Sequence, residues 1–367
     1  MPAETTTSSP IAPVTEVPPA TRVRLLADDV TGACDAGVAF LRAGHSVRVW
    51  FGPKALFATA ETAQAFQTDS RSMPAEEAAR AAGEAAATLR GQTDAILFKK
   101  VDSAGRGPIA SELLAVHRAL GTRAILFAPA FPAAGRIVRN GILEVQDVSG
   151  QNTRLNLCAM FPPAMKKAVA LISGAGEVAA AIERGKTVLV CDCATQAELE
   201  ALARRAEPLH EVLYAGSAGL AQAIASLHPV PCPHVPRATA VRTLVIAGTA
   251  HPVTALQLER LENAARDREQ VRILRIECAP GDGATIREAF ASFDPEALIL
   301  TGGDTALLAA QALNAHSILL HGEFAPGIPW GELQGGAAQG RIAVTKSGGF
   351  GAANALNEVI SKLSGAA

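Results

Sequence analysis

The sequence predicts an α/β protein of two domains, each a largely parallel sheet flanked by helices, with a crevice between them. Three observations carry that expectation. Short aliphatic or β-branched runs end in small and polar residues and lead into helix-like segments, in both halves of the chain. Strand–helix alternation of this kind builds parallel sheets covered on both faces. The pattern is interrupted by HPVPCPHVP at 228–236, four prolines in nine residues, which sustains neither a helix nor a central strand and reads as a semi-rigid linker. The 367 residues, 49% hydrophobic and 19% charged, suffice for two cores. The expected boundaries are a disordered leader at 1–20, a first domain at 21–227, the linker at 228–240 and a second domain at 241–367.

In chain order, Val23 to Ala27 reads as a strand running into DDVTG, with a helix from Ala33 to Ala43 and a second strand from Val47 to Phe51. Ala95 to Phe98 leads into KKVDS, followed by a helix from Ile109 to Leu120. Ala124 to Phe127, Thr187 to Val190 and Val212 to Tyr214 repeat the strand pattern. Beyond the linker, strands are predicted at Thr243 to Ile246, Arg272 to Ile276, Ala297 to Leu300 and Ile342 to Val344, with helices starting near Pro252, Thr285 and Thr305. Ligands of such sheets bind beyond the carboxyl ends of the strands, where the polar clusters of this chain fall.

Composition removes several classes of function. With 33 basic against 35 acidic residues and a formal net charge of -2, no global field exists for nucleic acid or an anionic membrane. Aromatics are 4% and Tyr214 is the single tyrosine, which argues against a base-stacking platform. Six cysteines in this length do not make a disulfide scaffold. The leader lacks the basic start and apolar run of a signal peptide, and no stretch reaches the roughly 20 apolar residues of a membrane helix. The expectation is a cytoplasmic, globular protein of enzyme size, without nucleic-acid or membrane partner.

Asp28 and Asp29 are adjacent carboxylates directly after an apolar strand, an expensive place to leave a charge unpaired. Their ordinary alternative is a helix cap beside a solvated neighbour. Arg71, in DSRS, has the fork geometry to grip a substrate carboxylate, or else serves a surface turn. Lys99, Lys100, Asp102 and Arg106 lie within eight residues at a strand end. That mixture suits an anionic substrate with hydroxyls, cations holding the acid and Asp102 orienting or deprotonating an alcohol; an exposed charged loop is the plainer reading.

In the second half, TGGDT at 301–305 is a strand end, a glycine pair and a helix start, where backbone donors and the helix dipole favour phosphate. Thr305 offers a hydroxyl, and Asp304 a cap or an indirect metal contact. TKSGGFG at 345–351, with Lys346 as a phosphate counter-ion, and AGTAHPVT at 247–254 are two further turns of this kind. One is weak evidence, but three within a domain of about 125 residues favour a polyphosphate site. No P-loop motif, dinucleotide fingerprint or nucleophile elbow occurs. Cys191 and Cys193, with Cys232 and His234, lack the usual zinc spacing. Cys34 reads as packing.

As an ordered set, ADDVTGA at 27–33, DSR at 69–71, KKVDS with Arg106 and Gly107, and APAFP with Gly135, Arg136, Asn140 and Gly141 resemble the sugar-binding N-terminal domain of the four-carbon acid sugar kinase family. TGGDT, EFAPG at 323–327 and KSGGFG at 346–351 resemble its nucleotide-binding C-terminal domain. The resemblance runs from about residue 23 to the end. It implies ATP-dependent phosphorylation, with Mg²⁺, of the terminal hydroxyl of threonate, erythronate or a 3-oxo-tetronate. It further implies Asp28, Asp29, Arg71, Lys100, Asp102 and Arg106 on the substrate side, with Asp29 or Asp102 accepting the proton. On the nucleotide side it implies Gly248, Thr249, Gly302, Gly303, Asp304, Thr305, Gly348 and Gly349. The chain departs from the family pattern at Pro108, where an asparagine is usual, and at His251, where a serine is common. Those departures keep a non-catalytic sugar-acid or nucleotide sensor in view, with a nicotinamide-dependent oxidoreductase as a third reading. Oligomeric state is left open.

Overall fold

The computed structural model describes residues 21–52, 60–90, 95–146, 152–209, 212–231, 236–265 and 269–365. The expected leader at 1–20 and residues 232–235 of the linker lie outside them, as do Cys232 and His234.

The first segment runs β1 (Arg22–Ala27), α1 (Val30–Arg42), β2 (Val47–Trp50), β3 (Ala63–Gln67), α2 (Ala75–Ala87), β4 (Ala95–Lys100), α3 (Ile109–Leu120) and β5 (Ala124–Ala128). It continues through β6 (Arg136–Arg139), β7 (Ile142–Gln146), β8 (Asn152–Asn156), β9 (Val169–Ile172), α4 (Val178–Glu183), β10 (Val188–Cys191), α5 (Gln196–Ala206), β11 (Val212–Gly216) and α6 (Ala218–Ala225). The second comprises β12 (Thr243–Ala247), α7 (Pro252–Ala265), β13 (Val271–Arg275), α8 (Asp282–Phe293), β14 (Ala297–Thr301), α9 (Gly303–Ala312), β15 (Ser317–Glu323), β16 (Pro329–Gln334), β17 (Ile342–Lys346) and α10 (Ala355–Leu363).

Fourteen strands form one continuous sheet in the order β13-β12-β14-β17-β16-β15-β2-β3-β1-β4-β11-β5-β10-β9. The strands on either side of the β15–β16 pair run parallel within their own block. The blocks meet through antiparallel pairings of β16 with β17, β15 with β16 and β15 with β2. Instead of one sheet per domain, the strands of both segments are hydrogen-bonded into one. Helices pack on it in groups, α2 with α3, α1 with α6 and α6 with α5, α8 with α9 and α7 with α10.

Strand polarity reverses between the blocks, which by itself would send their carboxyl ends to opposite edges. Six pairing steps separate β14 from β1. At about 20–25° of twist per step they accumulate roughly 120–150°, enough to turn the two carboxyl ends toward a common space. A buried core containing Leu25, Phe40 and Phe98 of the first segment and Leu244, Leu298 and Leu320 of the second runs through the junction.

Most sequence-derived strands are found one or two residues longer than expected at their carboxyl ends. The extension of β4 through Lys100 matters most. Neighbours on a strand face opposite ways, so Lys99 and Lys100 separate: Lys99 forms a fully buried ion pair with Glu112 of α3 at 2.6 Å, and Lys100 is left for the other face. A second, antiparallel sheet of β6, β7 and β8 has no counterpart among the elements expected from sequence. No helix among the described residues is long and apolar enough to cross a membrane.

Candidate active site

A cleft of about 610 Å³ lies where the carboxyl ends of the two blocks face each other. Asp29, Asp69, Arg71 and Arg106 line it from the first segment; Gly248, Thr249, Gly302, Gly303, Asp304, Thr305, Gly348 and Gly349 line it from the second. A recess of about 20 Å³, room for roughly one water, adjoins it and shares Asp29, Thr31, Arg71 and Ser347. Asp35, Lys100, Asp102 and Ser103 line this recess, with Gly327 and Phe350 from the second segment.

Both adjacent carboxylates converge on Arg71. Its Nε and one terminal nitrogen donate to Asp28 at 2.7 and 3.0 Å, and both terminal nitrogens donate to Asp29 at 2.8 Å. Asp29 is also the N-cap of α1, accepting from Gly32 N at 2.8 Å and from the Thr31 hydroxyl at 2.6 Å. Burial opposes ionisation of Asp28, yet Arg71, Lys99 and Lys100 together hold its carboxyl below the ordinary range. Four donated bonds leave Arg71 one N–H, too few for the two-bond grip on a substrate acid that its residue type suggested. Its visible work is to hold Asp28 and Asp29 in place.

Asp102 is saturated in the same way. It accepts from the Ala104 and Arg106 backbone N–H at 3.1 Å and from two Arg106 side-chain nitrogens at 2.9 and 2.7 Å. Burial pushes its carboxyl up, but the Arg106 hydrogen bonds and the charges of Arg71, Arg106 and Lys100 overcome that and keep it well below the carboxylate range. Such a group is a poor proton acceptor near neutrality, and the oxygens of Asp29 are just as occupied. Arg106, half exposed beside the cleft, pairs through Nε and one terminal nitrogen, leaving its other terminal nitrogen for a ligand. Lys100 donates to Val101 O at 2.8 Å and is buried in the recess wall.

The glycine turns interlock. Gly302 adopts φ 103° and ψ 148°, a region essentially reserved for glycine. It precedes α9, whose first turn has no side-chain cap, so N–H donors and the positive helix end face the cleft. The Thr305 hydroxyl accepts from Gly248 N at 3.1 Å, tying one turn to the next. His251 lines the cleft too, its Nδ1 accepting from Val253 N at 3.2 Å in the first turn of α7. Pro108 flanks α3 and lines neither cavity.

Lys346 departs from its expected part as a phosphate counter-ion. Its ammonium is fully buried behind the third turn, donating to Thr254 Oγ1 and to the carbonyls of Ser347, Gly348 and Phe350 at 3.0–3.3 Å. Burial lowers its pKa to about 8. The lysine shapes the loop from behind. On the nucleotide side that the resemblance implies, Lys346→Met, which keeps the chain length and removes all three N–H donors, is expected to weaken nucleotide binding at least about tenfold while the KM for a sugar acid changes less than about threefold, checked by calorimetry with ADP and by steady-state kinetics.

No group of three His, Cys, Asp or Glu side chains among the described residues forms a protein-only metal cage. Cys191 and Cys193 are free and buried. Burial, then the charges of Asp304 and Asp29, push the Asp69 carboxyl up to about 6. Carboxylates crowded at a cleft rim suit Mg²⁺, which uses one or two of them and completes its shell with phosphate oxygens and water.

Sequence reasoning missed Asp35, Thr31, Ser347 and Phe350 as parts of the site. The four-residue spacing of Thr31 and Asp35 on one helix face was the available signal for the first two. Phe350 had no local signal, because it enters a recess built by the other segment, with the Arg136 guanidinium 5.5 Å from its ring centre.

A family model described as a sugar-binding N-terminal domain matches residues 23–224, more than half of the chain, and one described as a nucleotide-binding C-terminal domain matches residues 282–356. The chain is 29% identical to a D-threonate kinase of Bordetella bronchiseptica, covering 91% of this chain and 95% of that enzyme. It is 28% identical to a D-erythronate kinase of Heliobacterium modesticaldum over 66% of this chain and 60% of that one. A crystal structure of a Haemophilus influenzae protein shares the fold with a TM-score of 0.67 at 20% identity, covering 93% of this chain and 100% of that one. Matched in both halves and in the same order, the chain belongs to the four-carbon acid sugar kinase family.

Proposed function

We propose that the protein transfers the terminal phosphoryl group of ATP to the terminal hydroxyl of a four-carbon sugar acid: D-threonate, D-erythronate or a 3-oxo-tetronate. The observation that carries the reading is one cleft lined on one side by an acid- and arginine-rich wall and on the other by three glycine turns and an uncapped helix start.

The turns at Gly248–Thr249, Gly302–Thr305 and Gly348–Gly349 would hold the polyphosphate through backbone N–H groups. Asp69 and Asp304 are the residues to hold Mg²⁺, which would neutralise charge on the phosphates when bound. The sugar acid would lie between Arg106 and Lys100, the cations that retain donors for its carboxylate, with the Thr31 and Ser103 hydroxyls orienting its own and Asp29 and Asp102 fixing the wall around it. Phosphoryl transfer needs the alcohol and phosphate aligned and water excluded. The packing of Phe350 over the recess serves the second requirement.

An assay of ADP formation with ATP, Mg²⁺ and each of the three acids tests the reading. Turnover of at least one is expected; folded protein that forms no ADP with any would end it. Nucleotide and acid binding without turnover would make the protein a sensor.

A further inference from the structure

Of the three aspartates that line the recess, two are held by arginine: Asp29 by Arg71, and Asp102 by Arg106. Asp35 is different. It stands one turn after Thr31 on α1 and lines the recess beside Lys100 and Asp102, and no hydrogen bond or ion pair to its carboxylate occurs among the described residues. The geometry points to Asp35 as the catalytic base that takes the proton from the acceptor hydroxyl of the sugar acid, an assignment resting on the kinase reading above.

A base needs a lone pair aimed at the alcohol and a pKa near the working pH. Asp35 has the lone pairs that Asp29 and Asp102 have committed elsewhere. The groups around it are Lys100 on β4, Glu323 on β15, Asp29 before α1 and Arg42 on its own helix. Burial raises its carboxyl, Lys100 and Arg42 restrain the rise, Glu323 and Asp29 add to it, and the result is about 6. It is therefore ionised above that pH, ready to accept a proton, and Lys100 stands close enough to influence both it and a bound acid. In the step itself the alcohol O–H bond breaks and its proton passes to Asp35. The alcohol oxygen forms a bond to the terminal phosphorus of ATP as the bond from that phosphorus to the bridging oxygen breaks. ADP leaves with the electron pair, and Asp35 returns the proton to solvent.

The test compares wild type with Asp35→Asn and Asp35→Ser, using ATP and whichever of the three acids the wild type turns over fastest. In wild type, kcat is expected to fall as pH drops through about 6. Both variants are expected to lose kcat by about 100- to 10,000-fold, to keep both KM values within threefold, to melt near the wild-type temperature, and to show no acid limb near pH 6 in the residual rate. The serine variant carries the test should the asparagine variant fail to fold. A variant that keeps kcat within threefold, or retains the acid limb, overturns the assignment. Wild type that turns over none of the acids would instead remove the kinase reading, so the two failures are distinguishable.

Discussion

Arg71→Met should destabilise the fold by about 3–5 kcal/mol near neutral pH, the range seen when one partner of a buried ion pair is removed. It should also abolish measurable turnover. The variant leaves Asp28 and Asp29, both buried, without the guanidinium that neutralises them, and Asp102 stands 3.7 Å from the same group. The pH dependence distinguishes this cause from a general packing defect. In wild type, Asp28 and Asp102 have folded-state pKa values below their ordinary ones. Their stabilisation is present above the ordinary range near about 4 and is lost as pH falls through the depressed values. In the variant Arg106 still holds Asp102 low, but Asp28 has lost Arg71, the largest charge opposing its burial; its folded-state value rises above the unfolded one, so its contribution to stability now decreases as pH rises between them. Urea unfolding at pH 5 and pH 8 should give a smaller deficit at pH 5. An equal deficit at both, or one below about 1 kcal/mol, would count against the cluster as the source.

Gly303→Ala should do nearly the reverse, sparing the fold and removing activity. Gly303 opens α9 without a positive φ, so alanine suits its backbone and relieves the roughly 0.5–1 kcal/mol that glycine costs inside a helix. A β-carbon there would stand 2.6 Å from Asp29 Oδ2 and 3.3 Å from Asp29 Cγ. Asp29 has little freedom to withdraw, being held by Arg71, Thr31 and Gly32. The glycine turn and the acid wall must therefore move apart. A displacement of about 1 Å at a transfer site costs on the order of 100-fold in rate. We expect kcat/KM to fall by at least that factor with the melting temperature within a few degrees of wild type; kinetics within threefold of wild type would show that the close approach is not needed.

What was legible in the sequence followed from local rules. The parallel α/β class came from strand–helix alternation. The polar residues after β1, β4, β12, β14 and β17 were recognisable as strand-end chemistry, and helix α3 was read to the residue, Ile109 to Leu120. Roles were less legible than positions. Lys99 and Lys100 look equivalent in sequence, and only strand alternation and the presence of Glu112 separate a buried structural ion pair from a recess-lining cation. Arg71 and Lys346 have the residue types that bind anions, but their contacts decide what they do. Arg71 meets two carboxylates, and Lys346 meets loop carbonyls. Asp35 was missed because its spacing from Thr31 places the two on one helix face but does not tell whether that face meets solvent or a recess.

Apolar periodicity, turn residues and motif order thus determined the elements, the class and the family likeness, since each depends on neighbours within a few residues. The meeting of the two halves was decided only by the tertiary structure. β15 pairs with β2 across more than 260 residues of chain, reverses the polarity of one block against the other, and lets accumulated twist swing both carboxyl ends into one cleft. Twist and long-range pairing are properties of the assembled sheet, and no window of sequence contains them.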